Sequence, residues 1–355
     1  MGSSAASATC LKAILREPAL DVVGVVTQPD RPAGRGKALT PCACKAFAVA
    51  HGITEIITPE NVNSDEAMER IRAWRPDAVA VVAFGQFLKK PLLELPLFGC
   101  VNCHFSLLPK YRGASPVVAF GQSLTKPLLD LPPHGCVNCH FSLLPKYRGA
   151  APVIAALEAG DRKTGVTVMH MGVGLDDGPI MLQSYEPIYP DTTGGMLMND
   201  LATAGGVALA KALRLMAAGA LPPEVPQDEK YATYVKKLRK TDGHIVWDSP
   251  VIEIERRIRA YNPWPGCFTF LPERFRKPGN AGRLVVIRSR IVKAMEPGWA
   301  EAPAGTILKL DKDGPVVKCH DTALQLLEVK PEGSSAMDGG AFLRGRALKP
   351  MEDFL

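Results

Sequence analysis

No apolar run in the 355-residue chain approaches the roughly 20 residues needed to cross a bilayer, so no membrane-spanning helix is expected. The opening, MGSSAASATCLKAILREP, lacks a basic segment followed by a long apolar one. No secretion signal is read there, and a cytoplasmic location is expected. In that compartment the nine cysteines are expected to stay reduced. A strong excess of one charge is missing too. The formal net charge of +6 is compatible with a polyanionic partner without requiring one.

The sequence does contain a long internal repeat. GCVNCHFSLLPKYRGA runs from Gly99 to Ala114 and recurs letter for letter from Gly135 to Ala150, inside near-identical segments 83–117 and 119–153. Stacked repeat architectures need three or more units, so two copies are read as one duplicated segment. Each copy holds C-V-N-C-H, which has the form of a haem-attachment pattern and supplies a C-x-x-C pair for zinc. Haem attachment needs an export compartment. The second zinc pair exists only because the segment was copied. CVNCHF also alternates like a strand, so cysteines three apart face opposite sides. Cys100, Cys103, Cys136 and Cys139 are therefore expected as small buried apolar residues, with no metal.

The surrounding chain alternates strands and helices. DVVGVVTQ, DAVAVVAFG and TGVTVMHM read as buried strands, and KAFAVAHG and DEAMERIRAW as helices. That order predicts an α/β domain with a doubly wound, mostly parallel Rossmann-like sheet over residues 1–218. ALPPEVPQDEKYATY, with its prolines and mixed charge, reads as part of a linker spanning 219–241. Short strands punctuated by Gly, Pro and Asp over 242–355 predict a small C-terminal barrel, OB-like in form.

The alternation that separates the cysteines brings Asn138 and His140, or Asn102 and His104 of the other copy, onto one strand face. An amide beside an imidazole can polarise a carbonyl while a proton moves. Alone, N-x-H is weak, and a structural histidine satisfies it better. The following SLLPKYRGA carries the strand into a loop at its carboxyl end, where open α/β sheets bind ligands.

NCHFSLLPKYRGAAPV followed by AGDRKTGVTVMHMGVGLDDGP resembles the folate-dependent formyltransferases, whose signature is N-x-H, SLLP and an aspartate in a G-L-D-x-G turn. TQPDRPAGRGKALTP and IRAYNPWPG are similar to segments of the branch acting on methionyl initiator tRNA. The resemblance implies transfer of the formyl group of 10-formyltetrahydrofolate to the α-amine of methionyl initiator tRNA. It implies catalysis by Asn138, His140 and Asp176, with Asp176 orienting the imidazole and favouring its cationic form. Asn102 and His104 stand as the alternative copy. Folate contacts fall on Ser142, Leu143, Leu144 and Pro145, or on Ser106, Leu107, Leu108 and Pro109 in the other copy. Arg35 and Lys37 are implied to reach tRNA, with the C-terminal domain holding the rest of it, and the protein is expected to be a monomer. Two rivals are kept: a relative that formylates or hydrolyses on a small substrate, and a catalytically impaired RNA-binding relative.

The chain departs from the family pattern in three places. The opening runs almost directly into a helix where the family has a strand and a G-T-P-x-F-A turn. The first, central strand is therefore expected to be missing, leaving the DVVGVV strand with an unpaired edge. The duplication offers two strands for one catalytic position, and the second copy is expected to take it. Gly172 stands where the family often has an acidic residue.

Overall fold

The computed structural model describes residues 1–33, 38–103, 136–275, 281–345 and 348–355. They form two compact units. The first comprises Met1–Val153, Arg162–Ile188 and Met198–Lys237, and the second Ile154–Asp161, Tyr189–Leu197 and Leu238–Leu355.

The first unit is built on strands β1 (Val25–Val26), β2 (Ile56–Ile57), β3 (Val79–Val82), β4 (Cys100–Cys103), β5 (Val137–His140), β6 (Lys163–His170) and β7 (Ile180–Pro187). β3, β4 and β5 run parallel side by side, and β6 and β7 add an antiparallel end. β1 pairs with β2 in parallel. Val25 and Val26 are neighbours on β1 and point to opposite faces. Val25 packs with Leu11 of α1 (Ala5–Leu15) and with Cys44 and Ala48 of α2 (Ala43–Ala50). Val26 packs with Met68 and Ile71 of α3 (Asp65–Ala73). Helices thus cover both faces, as the strand–helix alternation predicts. Ser4 caps α1 by accepting from the Ser7 N–H at 3.0 Å, which explains why the helix starts so near the beginning of the chain.

The position expected to be vacant is partly filled. Gly2 bridges Val82 in parallel, and its N–H donates to the Val26 carbonyl at 3.0 Å. The Val82 N–H donates to the Met1 carbonyl at 2.8 Å, and the Met1 ammonium donates to the Ala80 carbonyl at 2.7 Å. Met1–Ser3 therefore link β1 to β3, which corrects the expectation of a fully unpaired β1 edge. Three residues cannot fill a whole strand slot. A cavity of about 420 Å³ remains upstream of Met1, lined by Gly24, Trp74, Ala78 and Ala80 among others. Burial in this slot lowers the pKa of the Met1 ammonium.

The duplicated strand lies elsewhere. β4, from the first copy, is inserted between β3 and β5, so the sheet is one strand wider than a single copy would make it. Cys100 and Cys103 face opposite sides, Cys100 in the cluster around Val79 and Val81, and Cys103 with its Sγ 4.0 Å from that of Cys10. Burial pushes the Cys100 thiol up to about 12 and the Cys136 thiol up to about 11. The long helix Gly194–Ala217 approaches β5 at a glycine, where the Cys139 Sγ lies 3.9 Å from the Gly205 carbonyl. A Cβ at Gly205 would come within 2.9 Å of Phe141. Part of the stretch expected as a linker is paired with this unit: Tyr234–Val235 runs parallel to Arg148–Gly149, and Val225 pairs with Ile180.

The second unit carries an antiparallel sheet, in the order Cys267–Phe270, Arg283–Val292, Ala323–Pro331, Gly314–Lys318, Ile307–Asp311. Its two outer strands do not pair with each other. The tail hydrogen-bonds to both instead: the Ile307 N–H donates to Glu352 and the Met351 N–H to Ile307, while Phe270 and Leu355 exchange N–H···O bonds.

Candidate active site

β5 ends where the alternation places Asn138 and His140 on one face, both almost completely buried. The His140 Nε2 lies 2.9 Å from the Tyr147 carbonyl, so Nε2 carries the proton and donates it. The other nitrogen, Nδ1, lies 3.6 Å from the Asp176 Oδ2. The same carboxylate oxygen accepts from the Gly149 N–H at 2.8 Å. Gly149 has φ 106, and a Cβ there would meet the Val235 carbonyl at 2.5 Å, so this donor position requires glycine.

The Asp176 turn is braced by residues the sequence did not single out. The Gln227 Nε2 donates to the Asp176 carbonyl at 2.9 Å and to the Gly178 carbonyl at 2.7 Å. Its Oε1 accepts from Nε and Nη2 of Arg148. Arg148 is fully buried yet charged. It also donates through both Nη atoms to the Glu229 carboxylate and to the Tyr234 hydroxyl. Burial opposes that charge, but Glu229 and Tyr234 outweigh it and hold the guanidinium above its usual pKa. The only signal in the sequence is the arginine of K-Y-R-G-A, a charge followed by a helix start.

The SLLP loop is pinned from below. The Thr167 hydroxyl on β6 donates to the Ser142 carbonyl at 2.7 Å and accepts from the Leu144 N–H at 3.1 Å. The Gln183 Nε2 on β7 reaches the Leu144 carbonyl at 3.0 Å. Ser142 and Leu144 are buried, Leu143 and Pro145 half-buried, and the Leu144–Pro145 peptide is cis. Thr167 was legible as a polar residue between Val166 and Val168 in a largely buried strand. The Asp177 carboxylate occupies the space a side chain at position 172 would take, with a Cβ there only 2.2 Å from its Oδ1.

Of the other expected site residues, Asn102 lies on β4 beside Asn138. His104, Ser106, Leu107, Leu108 and Pro109, together with Arg35 and Lys37, lie outside the described residues.

Residues 2–119 and 116–213 match the family described as formyl transferase, and residues 237–347 match the formyl transferase C-terminal domain. The chain belongs to the formyl transferase family. The two N-terminal matches each contain one N-x-H copy, as expected for a formyl transferase with an internal duplication. Methionyl-tRNA formyltransferase of Pseudomonas putida (strain W619) is 39% identical over 336 residues, covering 95% of this chain and 91% of its own. The enzyme of that name from Marinobacter nauticus is 37% identical, covering 96% and 93%. Among solved structures, WlaRD, a sugar 3N-formyl transferase, shares the formyl transferase fold at a TM-score of 0.54 and 16% identity, covering 94% of this chain and 97% of that one. HypX from Aquifex aeolicus, in complex with tetrahydrofolic acid, gives 0.51 at 12% identity, with 94% of this chain and 50% of that chain covered.

Proposed function

We propose that this formyl transferase carries the formyl group of 10-formyltetrahydrofolate to the α-amine of methionyl initiator tRNA. Relatives named methionyl-tRNA formyltransferase, aligned over nearly the whole of both chains, support the substrate pair. The observation that carries the chemistry is the imidazole of His140 fixed between the Tyr147 carbonyl and the Asp176 carboxylate, next to the Asn138 amide.

When bound, the folate supplies the formyl carbonyl that the amine attacks. No hydrogen bond from the Asn138 Nδ2 is seen among the described residues, so this amide N–H is a donor that fits such a carbonyl oxygen. It would stabilise the negative charge developing there. His140 has its Nε2–H committed to Tyr147, which leaves Nδ1 to take the proton of the attacking amine and pass it to the leaving nitrogen. Asp176 faces the positive charge this creates, with its oxygen fixed by the Gly149 N–H. Ser142, Leu143, Leu144 and Pro145 form the folate-contacting loop.

Arg35 and Lys37, in a basic Gly/Pro-rich segment, would contact the acceptor end of the tRNA. Residues 1–218 would serve as the catalytic domain, 219–241 as the connection, and 242–355 as an OB-like barrel that binds tRNA. The tail joined to both outer strands of the sheet supports the barrel reading. The protein would act as a cytoplasmic monomer; among the described residues no helix is long and apolar enough to cross a membrane.

The tRNA half of this reading is tested at Arg35. Arg35→Ala should lower kcat/KM for methionyl-tRNA by roughly ten- to a hundredfold, from losing one charge-assisted contact worth about 1–3 kcal/mol. Folate affinity, read by fluorescence titration, should hold. Unchanged tRNA kinetics would remove Arg35 from the interface.

A further inference from the structure

The spare copy of the repeat is placed against the site. β4 has the sequence C-V-N-C, and so do Cys136 and the start of β5, so a one-residue slip in their pairing would put like side chains on opposite faces. The observed register avoids this, with Val101 beside Val137, Asn102 beside Asn138 and Cys103 beside Cys139. In-register parallel strands bring identical side chains within reach of each other on the same face, and adjacent asparagines then form a hydrogen-bonded ladder. The Asn102 Nδ2 donates to the Asn138 Oδ1 at 2.8 Å, and both side chains are buried.

This bond couples the way the Asn138 amide faces to the way the Asn102 amide faces. A primary amide has a donor edge and an acceptor edge of nearly the same shape, so packing alone does not distinguish its two orientations. With Oδ1 accepting from Asn102, the carbonyl is turned toward β4 and Nδ2 toward the other side. Reversing the Asn138 amide alone, with Asn102 as it stands, would place two NH₂ groups against each other and give up the bond.

We infer that Asn102 is a positioning residue: the duplicated strand holds the Asn138 amide with its nitrogen available to the transferred carbonyl. The inference rests on the reading of Asn138 as the donor to that carbonyl. It gives the first copy a supporting role in the reaction, acting through the second.

A double-mutant cycle tests it, using Asn102→Ala, Asn138→Ala and the pair in the full-length protein under single-turnover conditions. Asn102→Leu keeps the volume of the side chain and checks for loss of packing, and thermal melting confirms that each variant folds. Asn102→Ala and Asn102→Leu should each lower the transfer rate by about five- to tenfold, with half-saturating substrate concentrations unchanged. In the Asn138→Ala background the same changes should have no further effect. A full rate in both Asn102 variants, or the same factor with and without Asn138, overturns the inference and leaves the site reading standing. Wild-type activity in Asn138→Ala overturns both.

Discussion

Adding about four apolar, β-branched residues ahead of Met1 is expected to stabilise the protein by about 3 kcal/mol or more. Among the described residues the slot between β1 and β3 is occupied only by Met1–Ser3, and a cavity of about 420 Å³ lies open beside them. In a parallel ladder alternate residues face alternate neighbours. The Val25 N–H reaches Glu55 and the Val79 N–H reaches Gly99, so the backbone groups of Gly24, Val26 and Ala80 turn to the slot. Each added side chain gains about 1.5–3 kcal/mol on burial, against a comparable cost of ordering its residue. The new ladder bonds, at about 0.5–1.5 kcal/mol each, provide the surplus.

The extension would also remove the buried Met1 ammonium. That group binds its proton less tightly in the folded chain than in the unfolded one, where its usual pKa is 8.0. Stability should therefore rise as pH increases toward 8 from below, because the unfolded chain holds the extra proton there. This slope should vanish in the extended variant. Urea unfolding at pH 6 and pH 8.5 measures both effects. An apolar extension no more stabilising than a Gly/Ser extension of equal length would contradict the slot.

The second large effect separates the two copies. Asn138→Ala/His140→Ala removes the groups proposed as carbonyl donor and proton carrier, and should lower formyl transfer by at least about a thousandfold. Asn102→Ala/His104→Ala should cost only about tenfold, the share assigned to Asn102. The reason is geometric: His140 lies within 3.6 Å of Asp176 and against the Tyr147 carbonyl, in the segment that continues into the SLLP loop and the next strand. If the first pair retains activity and the second loses it, Asn102 and His104 carry the chemistry.

The parts legible in the sequence were those written in local patterns. Runs of valine gave β3 and β6, because strands buried on both faces carry no polar alternation. N-x-H gave the shared face of Asn138 and His140, because strand periodicity is two. What was missed depends on contacts between distant residues. Met-Gly-Ser has no strand signal and pairs only because β1 and β3 offer free edges. PPEVPQDEKY has a linker's composition, yet Gln227 within it braces the Asp176 turn by hydrogen bonds to a segment about fifty positions earlier. The spare strand had no position of its own in the sequence reading. Its identity with β5 favours pairing there, which no reading of a single strand reveals.

The central claim is that this chain moves a formyl group from folate to methionyl initiator tRNA. The most direct measurement incubates the purified protein with 10-formyltetrahydrofolate and initiator tRNA charged with labelled methionine, and follows formyl-methionyl-tRNA together with loss of the formyl donor. The account predicts that the two change one for one, and that uncharged tRNA and free methionine leave the donor intact. Donor consumed with formate released and no label formylated, or no transfer by the folded protein, would contradict it.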